Sequence, residues 1–97
     1  MSTYAQPTAS IRIADAELVS WPLPADWVLE GEPDSRGLVI SRSDDSRILR
    51  AVWSCTPGRF RWEFSYDETL VVLEGRATVV LDTGDVVELE PGVLAFF

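Results

Sequence analysis

Hydrophobic and polar residues alternate in short runs over much of this chain, and turn-forming residues separate the runs. Alternation with a period of two is typical of β-strands that bury one face. No segment repeats its hydrophobic residues every 3.6 positions, so we expect little helix. Alternation predicts strands over residues 47–54 and 76–82, and short apolar-rich runs bounded by turn residues predict strands over residues 38–41, 70–73, 86–90 and 93–97.

The segments between these runs indicate how the strands connect. Residues 43–46 have the composition of a tight turn and would join the first two strands into a hairpin. Residues 31–37 have loop composition, and Pro22 and Pro24 exclude a long helix before them. The apolar run over residues 70–73 is typical of a strand buried on both faces. Many short strands with frequent turns predict an all-β barrel or sandwich.

Residues 53–75 combine aromatic and polar side chains in an alternating pattern. Trp62, Phe64 and Tyr66 occupy even positions, which would place them on one face of a strand. Large aromatic side chains on the inner face of a barrel either stack on planar ligands or fill the core. We predict that these three residues and Trp53 bind a ligand, and a purely structural core is the alternative.

Charged residues accompany the aromatic ones and supply candidate chemistry. A carboxylate at the mouth of an apolar pocket acts as a general acid or base when burial raises its pKa, and Glu68 is the predicted catalytic residue. Arg61 and Glu63 would lie on the opposite strand face. A β-bulge would turn them inward, where Arg61 would bind an anion with Glu63 as its partner. We expect Arg76 to form an ion pair with Glu74 or Glu68.

Length and composition set the expected domain organisation. The chain has 97 residues, of which 46% are hydrophobic and 25% are charged, as in an ordinary folded protein. A chain of this length supports one core at most. We predict a flexible N-terminal arm over residues 1–10 and a single domain over residues 11–97.

The charge balance excludes several classes of partner. Acidic residues number 16 and basic residues 8, all of them arginine, which gives a net charge of −8. This charge disfavours nucleic acid and anionic membranes, and no apolar run approaches the ~20 residues that span a bilayer. Residues 1–10 lack the basic start and apolar segment of a secretion signal, so we expect a cytoplasmic location.

Histidine is absent from the chain, and Cys55 is its single cysteine. One cysteine forms neither an internal disulfide nor a cysteine-based metal cluster. Without a histidine to activate its thiol, we interpret Cys55 as a small apolar side chain on a strand. Carboxylates alone would hold Mg²⁺ or Mn²⁺ weakly, so we predict no metal ligands and no cofactor.

Four motifs of the chain resemble those of the cupin superfamily. They are W-S-C-T-P-G-R-F-R-W, Y-D-E-T, V-L-E-G-R and L-E-P-G, in the order and at the spacings that small cupins show. The resemblance covers roughly residues 38–97 and is to the DUF861 group, the (S)-ureidoglycine aminohydrolase cupin domains. It implies a jelly-roll β-barrel with a ligand site inside its open end, and often a homodimer.

The resemblance to the cupin metal motif is partial. Metal-binding cupins use two histidines and a glutamate, followed after six residues by a glycine, and Glu68 and Gly75 match the last two positions. Neither of the two spacings found in the family places an imidazole at the histidine positions here. Those positions fall on Trp62 and Phe64 or on Arg61 and Glu63.

The resemblance also bears on the last strand. In relatives, the strand that corresponds to residues 93–97 continues into a further turn and a strand that carries another ligand. The sequence ends at Phe97, so we expect a barrel that is incomplete on its C-terminal side and has open strand edges. Open edges pair readily, and we predict a homodimer or strand exchange there.

Three functions fit this interpretation. The first is binding of a small molecule between aromatic side chains, without a histidine-ligated metal. The second is a metal-independent or weakly metal-dependent enzyme that acts on a ureido or amino metabolite, with Glu68 as acid or base. The third is a non-catalytic interaction domain. All three predict the same strands, so the residues of the site must decide between them.

Overall fold

The computed structural model describes residues 10–97, which form short β-strands joined by turns and loops. Of the predicted N-terminal arm, only Ser10 falls within the described residues. Two single-turn 3-10 helices, Ile13–Asp15 and Ala25–Trp27, are the helical segments of this range, so the expectation of little helix is confirmed there. The strands are β1 Val19–Ser20, β2 Val28–Glu30, β3 Ser35–Arg42, β4 Leu49–Cys55, β5 Arg59–Phe60, β6 Thr69–Val71, β7 Ala77–Val80, β8 Val86–Leu89 and β9 Leu94–Phe96.

The chain divides into two compact units, an N-terminal unit over Met1–Trp62 and a C-terminal unit over Glu63–Phe97. The described part of the N-terminal unit contains an antiparallel sheet in the order β1-β3-β4 and the antiparallel pair β2-β5. The C-terminal unit contains the antiparallel pairs β6-β9 and β7-β8. The all-β prediction is therefore confirmed. Over residues 10–97 the sheets stay open and do not close into a barrel, as expected for an incomplete one.

The predicted hairpin of β3 and β4 is present, but β3 begins earlier than predicted. Gly37 pairs on both sides, with Val19 of β1 and with Trp53 of β4. The ring of Trp21 lies where a side chain at position 37 would project, so glycine suits this position. The loop predicted over residues 31–37 is therefore wrong for its last three residues. The backbone groups of these residues are satisfied by pairing with neighbouring strands. Composition does not reveal such long-range pairing.

The predicted turn between β3 and β4 is confirmed, and two polar side chains stabilise it. The buried Ser43 hydroxyl donates to Asp45 Oδ1 at 2.6 Å and accepts the Ile48 backbone N–H at 3.0 Å. Asp45 Oδ1 also accepts the backbone N–H of Arg47 at 3.1 Å. These bonds hold the pKa of Asp45 below its usual value because they favour the ionised carboxylate, and the bond from Ser43 has the largest effect.

The β6-β9 pair has one protected face and one open face. On the protected face Leu70 lies opposite Ala95, and on the open face Val71 lies opposite Leu94. Ala95 is 6% exposed, whereas Val71 is 53% exposed. The prediction that residues 70–73 form a strand buried on both faces is therefore wrong. Alternation sends successive side chains to opposite faces, and only one face of this ladder is covered.

Few side chains are fully buried in the part of the chain that the structure describes. Its buried hydrophobic residue is Ala95, and its buried polar residues are Ser35 and Ser43. Open apolar surface of this extent is typical of proteins that bind another surface. Large hydrophobic side chains that remain exposed include Val19, Leu29, Val71, Val80, Leu94 and Phe96.

No helix within residues 10–97 combines the length and the apolar character needed to cross a bilayer.

Candidate functional site

The strand that was expected to align three aromatic side chains does not form. Between residues 56 and 68 the only strand is Arg59–Phe60, and it pairs with β2. One further hydrogen bond, from the Arg61 N–H to the Trp27 C=O at 2.9 Å, extends this pairing by one residue. Trp27 is the last residue of the 3-10 helix that precedes β2. Because the partner strand ends, the ladder ends with it. The prediction of a shared strand face is therefore wrong for Trp62, Phe64 and Tyr66.

Trp62 instead lies at the centre of a cluster of aromatic rings in the N-terminal unit. Its ring centroid lies 5.5 Å from that of Trp27, 5.9 Å from that of Trp53 and 6.5 Å from that of Phe60, always edge to face. This geometry places the positive edge of one ring against the negative face of another. Two members keep open surface, since Trp53 is 46% and Trp62 is 39% exposed. We call Trp27, Trp53, Phe60 and Trp62 the aromatic cluster.

Trp53 is fixed in this cluster by its strand and by its indole nitrogen. Strand β4 places it directly opposite Gly37, and its Nε1–H donates to Ser35 Oγ at 2.7 Å. Ser35 is 2% exposed, so its side of this hydrogen bond is shielded from water. A hydrogen bond in such surroundings is strengthened and holds the indole in one orientation.

Sequence reasoning missed three residues of this arrangement, Ser35, Trp27 and Phe60. Ser35 belongs to residues 31–37, whose composition predicts a loop, and Trp27 follows two prolines in a segment without strand alternation. The register of β2 with β5, in which Val28 lies opposite Phe60, brings these distant segments together. For Trp27 the residue type itself was a usable signal, because a tryptophan usually packs against other side chains.

The other predicted site residues belong to the C-terminal unit. Phe64 stacks on Phe97 with ring centroids 4.8 Å apart and planes 13° apart. Glu68 exchanges two backbone hydrogen bonds with Phe97, at 3.0 and 2.8 Å. Tyr66 is 67% exposed, and Glu63 is exposed as well. The predicted set is thus divided between the units, with Trp53, Arg61 and Trp62 in the first and Glu63, Phe64, Tyr66 and Glu68 in the second.

Burial raises the pKa of two groups. The half-buried Glu68 has a raised pKa, because loss of water disfavours the ionised carboxylate. A carboxyl group in this condition keeps its proton closer to neutral pH and can donate it as a general acid. Burial also raises the pKa of the Cys55 thiol, with a smaller effect from the charge of Asp34. This shift favours the unreactive thiol over the thiolate.

Arg76 forms its ion pair with a different residue from those predicted. Its Nη1 lies 2.7 Å from Glu90 Oε2. The register of β7 with β8 pairs Ala77 with Leu89, which brings the residues just beyond these strand ends together. The prediction of Glu74 or Glu68 as partner is therefore wrong, because it counted sequence neighbours and not the strand register. Exposed ion pairs of this kind contribute only about 0–1 kcal/mol.

The residues at the cupin metal positions do not fit a metal centre. Trp62 and Phe64, or Arg61 and Glu63, stand where two imidazoles would be needed. Among residues 10–97, no three acidic or cysteine side chains converge into a set that could hold an ion. Glu68 matches a ligand position without such neighbours, and we derive no chemistry through a metal.

Replacing Glu68 with glutamine is expected to raise the free energy of unfolding at neutral pH. A carboxyl whose pKa rises on folding stabilises the native state fully below its unfolded pKa, here 4.5, and this contribution is lost as the pH rises through the native pKa. The parent protein should therefore lose stability relative to Glu68→Gln as the pH rises from 4.5 through the native pKa. Urea unfolding at several pH values measures the difference.

The variant Asp45→Asn is the matched control, because its effect on stability depends on pH in the opposite direction. The pKa of Asp45 is lowered on folding, so its contribution is present above 3.8 and is lost as the pH falls through the native pKa. Parallel pH profiles for the parent and Glu68→Gln would contradict the burial of a Glu68 charge.

Comparison with known proteins places the chain in a family. No curated protein and no solved structure matches it. One family model, described as the EutQ-like cupin domain, matches residues 42–97. The match covers more than half of the chain, includes strands β4 to β9, and confirms the resemblance to the cupin superfamily. The chain therefore belongs to the family of EutQ-like cupin domains.

Proposed function

We propose that this cupin binds a small molecule on its aromatic cluster, without a histidine-ligated metal. The observation that carries the proposal is the open surface of Trp53 and Trp62, two indoles packed against each other. Rigid aromatic surfaces stack on planar ligands with little loss of conformational entropy. The bond from Trp53 to Ser35 supports this role, because it satisfies the polar edge of the indole and fixes its orientation.

Charge narrows the classes of ligand and partner. The net charge of −8 disfavours strongly anionic ligands and nucleic acid, so the proposed ligand is planar and neutral or cationic. We place its action in the cytoplasm. The single cysteine supports this location, because small secreted domains usually depend on disulfide pairs.

A second function, catalysis on a ureido or amino metabolite, is favoured by the raised pKa of Glu68. Glu68 would act as acid or base without a metal. The metal-dependent activity of ureidoglycine aminohydrolases has no support here, because the histidine positions lack imidazoles. If the protein is an enzyme of this kind, Glu68→Gln abolishes turnover. Unchanged turnover in this variant would refute the assigned role.

We also propose that the protein is a homodimer. The two-stranded ladders of the C-terminal unit support this, because within residues 10–97 no further strand pairs with their outer edges and part of their apolar surface is exposed. Isolated two-stranded sheets are marginally stable and gain from additional strands. A third function, as an interaction domain, would use the same surfaces and needs no ligand.

A ligand screen followed by one substitution tests the binding function. A ligand found by thermal shift against ureido, amino and planar aromatic metabolites should bind Trp53→Ala at least about tenfold more weakly, since one stacking contact contributes ~1–3 kcal/mol. Isothermal titration calorimetry measures the affinities.

Leu29→Ala is the matched control, because Leu29 is an exposed hydrophobic residue of the same unit outside the aromatic cluster. It should bind the ligand like the parent. Equal affinity in Trp53→Ala and the parent would refute the aromatic cluster as the binding surface.

A further inference from the structure

The edge of β9 that faces away from β6 carries open backbone groups. Glu68 and Phe97 exchange two hydrogen bonds, and Val72 donates to Val93, which identifies the residues whose backbone groups point into the ladder. In an antiparallel pair, such residues alternate with residues whose N–H and C=O point outward. Leu94 and Phe96 are the outward residues of β9. Within residues 10–97 no third strand pairs with them.

The same two residues also present open apolar side chains. Leu94 is 60% and Phe96 is 75% exposed. Both lie on the open face of the β6-β9 pair, opposite Val71 and Thr69 respectively. Leu94 and Phe96 therefore combine free hydrogen-bonding capacity with apolar surface, which is the combination that favours pairing with another strand.

Charge distinguishes β9 from the other strands of the C-terminal unit. This unit contains eight acidic residues and one arginine, a net charge of −7, yet residues 91–97 include no charged side chain. Strand β6 follows directly after Asp67 and Glu68, and β7 and β8 are flanked by Asp82, Asp85 and Glu90. Pairing two copies of β6 or β8 would set like charges against each other, which is destabilising. Pairing two copies of β9 avoids this repulsion.

We propose that β9 pairs in antiparallel register with β9 of a second copy of this chain, about a two-fold axis at Ala95. Leu94 then lies opposite Phe96 of the partner subunit, and Phe96 lies opposite the partner's Leu94. This register forms four backbone hydrogen bonds and satisfies every outward group of both residues in both chains. It joins the two ladders into one four-stranded sheet, β6-β9-β9-β6. The inference rests on the proposed homodimer and specifies its interface.

The residues fit this register in detail. Ala95 would face the partner's Ala95 in a non-hydrogen-bonded pair, where Cα atoms approach to ~4.5 Å, and its small side chain suits that spacing. Two large apolar side chains from each chain would lie next to each other across the axis, and such cross-strand pairs stabilise a sheet. Identical edges that pair antiparallel form a closed two-fold contact, so the assembly stops at the dimer.

Disulfide trapping tests the register directly. In a Cys55→Ser background, Ala95→Cys should form a covalent dimer with oxidised glutathione. Leu94→Cys and Phe96→Cys should each stay monomeric on a denaturing gel when oxidised alone, but should form a covalent dimer when mixed. The reason is distance, because a disulfide needs Cα atoms about 4.4–6.8 Å apart and two copies of the same outward residue lie farther apart than this. The mixture uses exposed positions and so keeps the test valid if Ala95→Cys folds poorly.

Sedimentation velocity separates the interface from the homodimer itself. Phe96→Lys should weaken the dimer at least about tenfold by placing a charge on the paired edge. Val80→Lys, at an exposed apolar position in β7, should leave it unchanged. A parent protein that stays monomeric overturns both this interface and the proposed homodimer. A dimer that fails the trapping pattern, or that Val80→Lys breaks and Phe96→Lys does not, overturns the β9 interface alone.

Discussion

Replacing Gly37 with alanine is expected to lower the free energy of unfolding by about 1–3 kcal/mol, the usual range for an extra carbon forced into an occupied position. A β-carbon at this position would overlap Trp21 Cε3 and lie 2.7 Å from its Cζ3. The sign is informative, because a glycine inside a strand is otherwise ~0.5–1 kcal/mol less stable than alanine. The φ angle of Gly37 lies outside the left-handed region, so its backbone alone does not require glycine.

A double-mutant cycle with Trp21→Ala isolates this contact. In the Trp21→Ala background, the change Gly37→Ala should be neutral or stabilising by up to ~1 kcal/mol, because the ring that it would displace is gone. Midpoints of urea unfolding for the parent, both single variants and the double variant give the coupling energy. A loss of stability that is equally large with and without Trp21 would show that the ring does not explain the glycine.

The positions of the last two strands could be predicted, because the signals for them are local. Short apolar-rich runs over residues 86–90 and 93–97, each after a turn, predict strands that coincide closely with β8 and β9. Gly84 and Gly92 have φ values of 90° and 89°, so the turns before these strands need glycine. Where a pattern and a turn residue both lie within a few positions, the chain determines the element without long-range contacts.

The candidate site was harder to predict, because it depends on pairing between distant segments. Trp62 keeps the alternation of a strand, but a strand needs a partner, and β2 offers only Val28–Glu30. The contacts of Trp62 with Trp27 and Trp53 follow from registers that no local pattern encodes. Glu68 lies just before the apolar run over residues 70–73, and its half-burial raises its pKa.

Replacing Trp62 with alanine should lower the free energy of unfolding by about 2–4 kcal/mol. The substitution removes three edge-to-face ring contacts, each worth ~0.5–1.5 kcal/mol beyond area burial, together with the apolar surface of the indole. A fully buried aromatic residue loses ~3–5 kcal/mol in the same change, and the partial exposure of Trp62 reduces that value. Urea unfolding measures the loss, and near-ultraviolet circular dichroism reports the ordering of the remaining rings.

Two control variants test whether the effect of Trp62→Ala comes from the packing of the aromatic cluster. Trp62→Phe keeps an aromatic ring and should retain part of the stability, whereas Leu29→Ala should cost less than about 1 kcal/mol because Leu29 is an exposed residue. The bond from Trp53 to Ser35 involves neither Trp62 nor Leu29, so we expect it to keep the Trp53 indole oriented in these variants. If Trp62→Ala were as mild as Leu29→Ala, the aromatic cluster would not be a packed unit. Its exposed indoles would then lack the fixed orientation that stacking on a ligand requires.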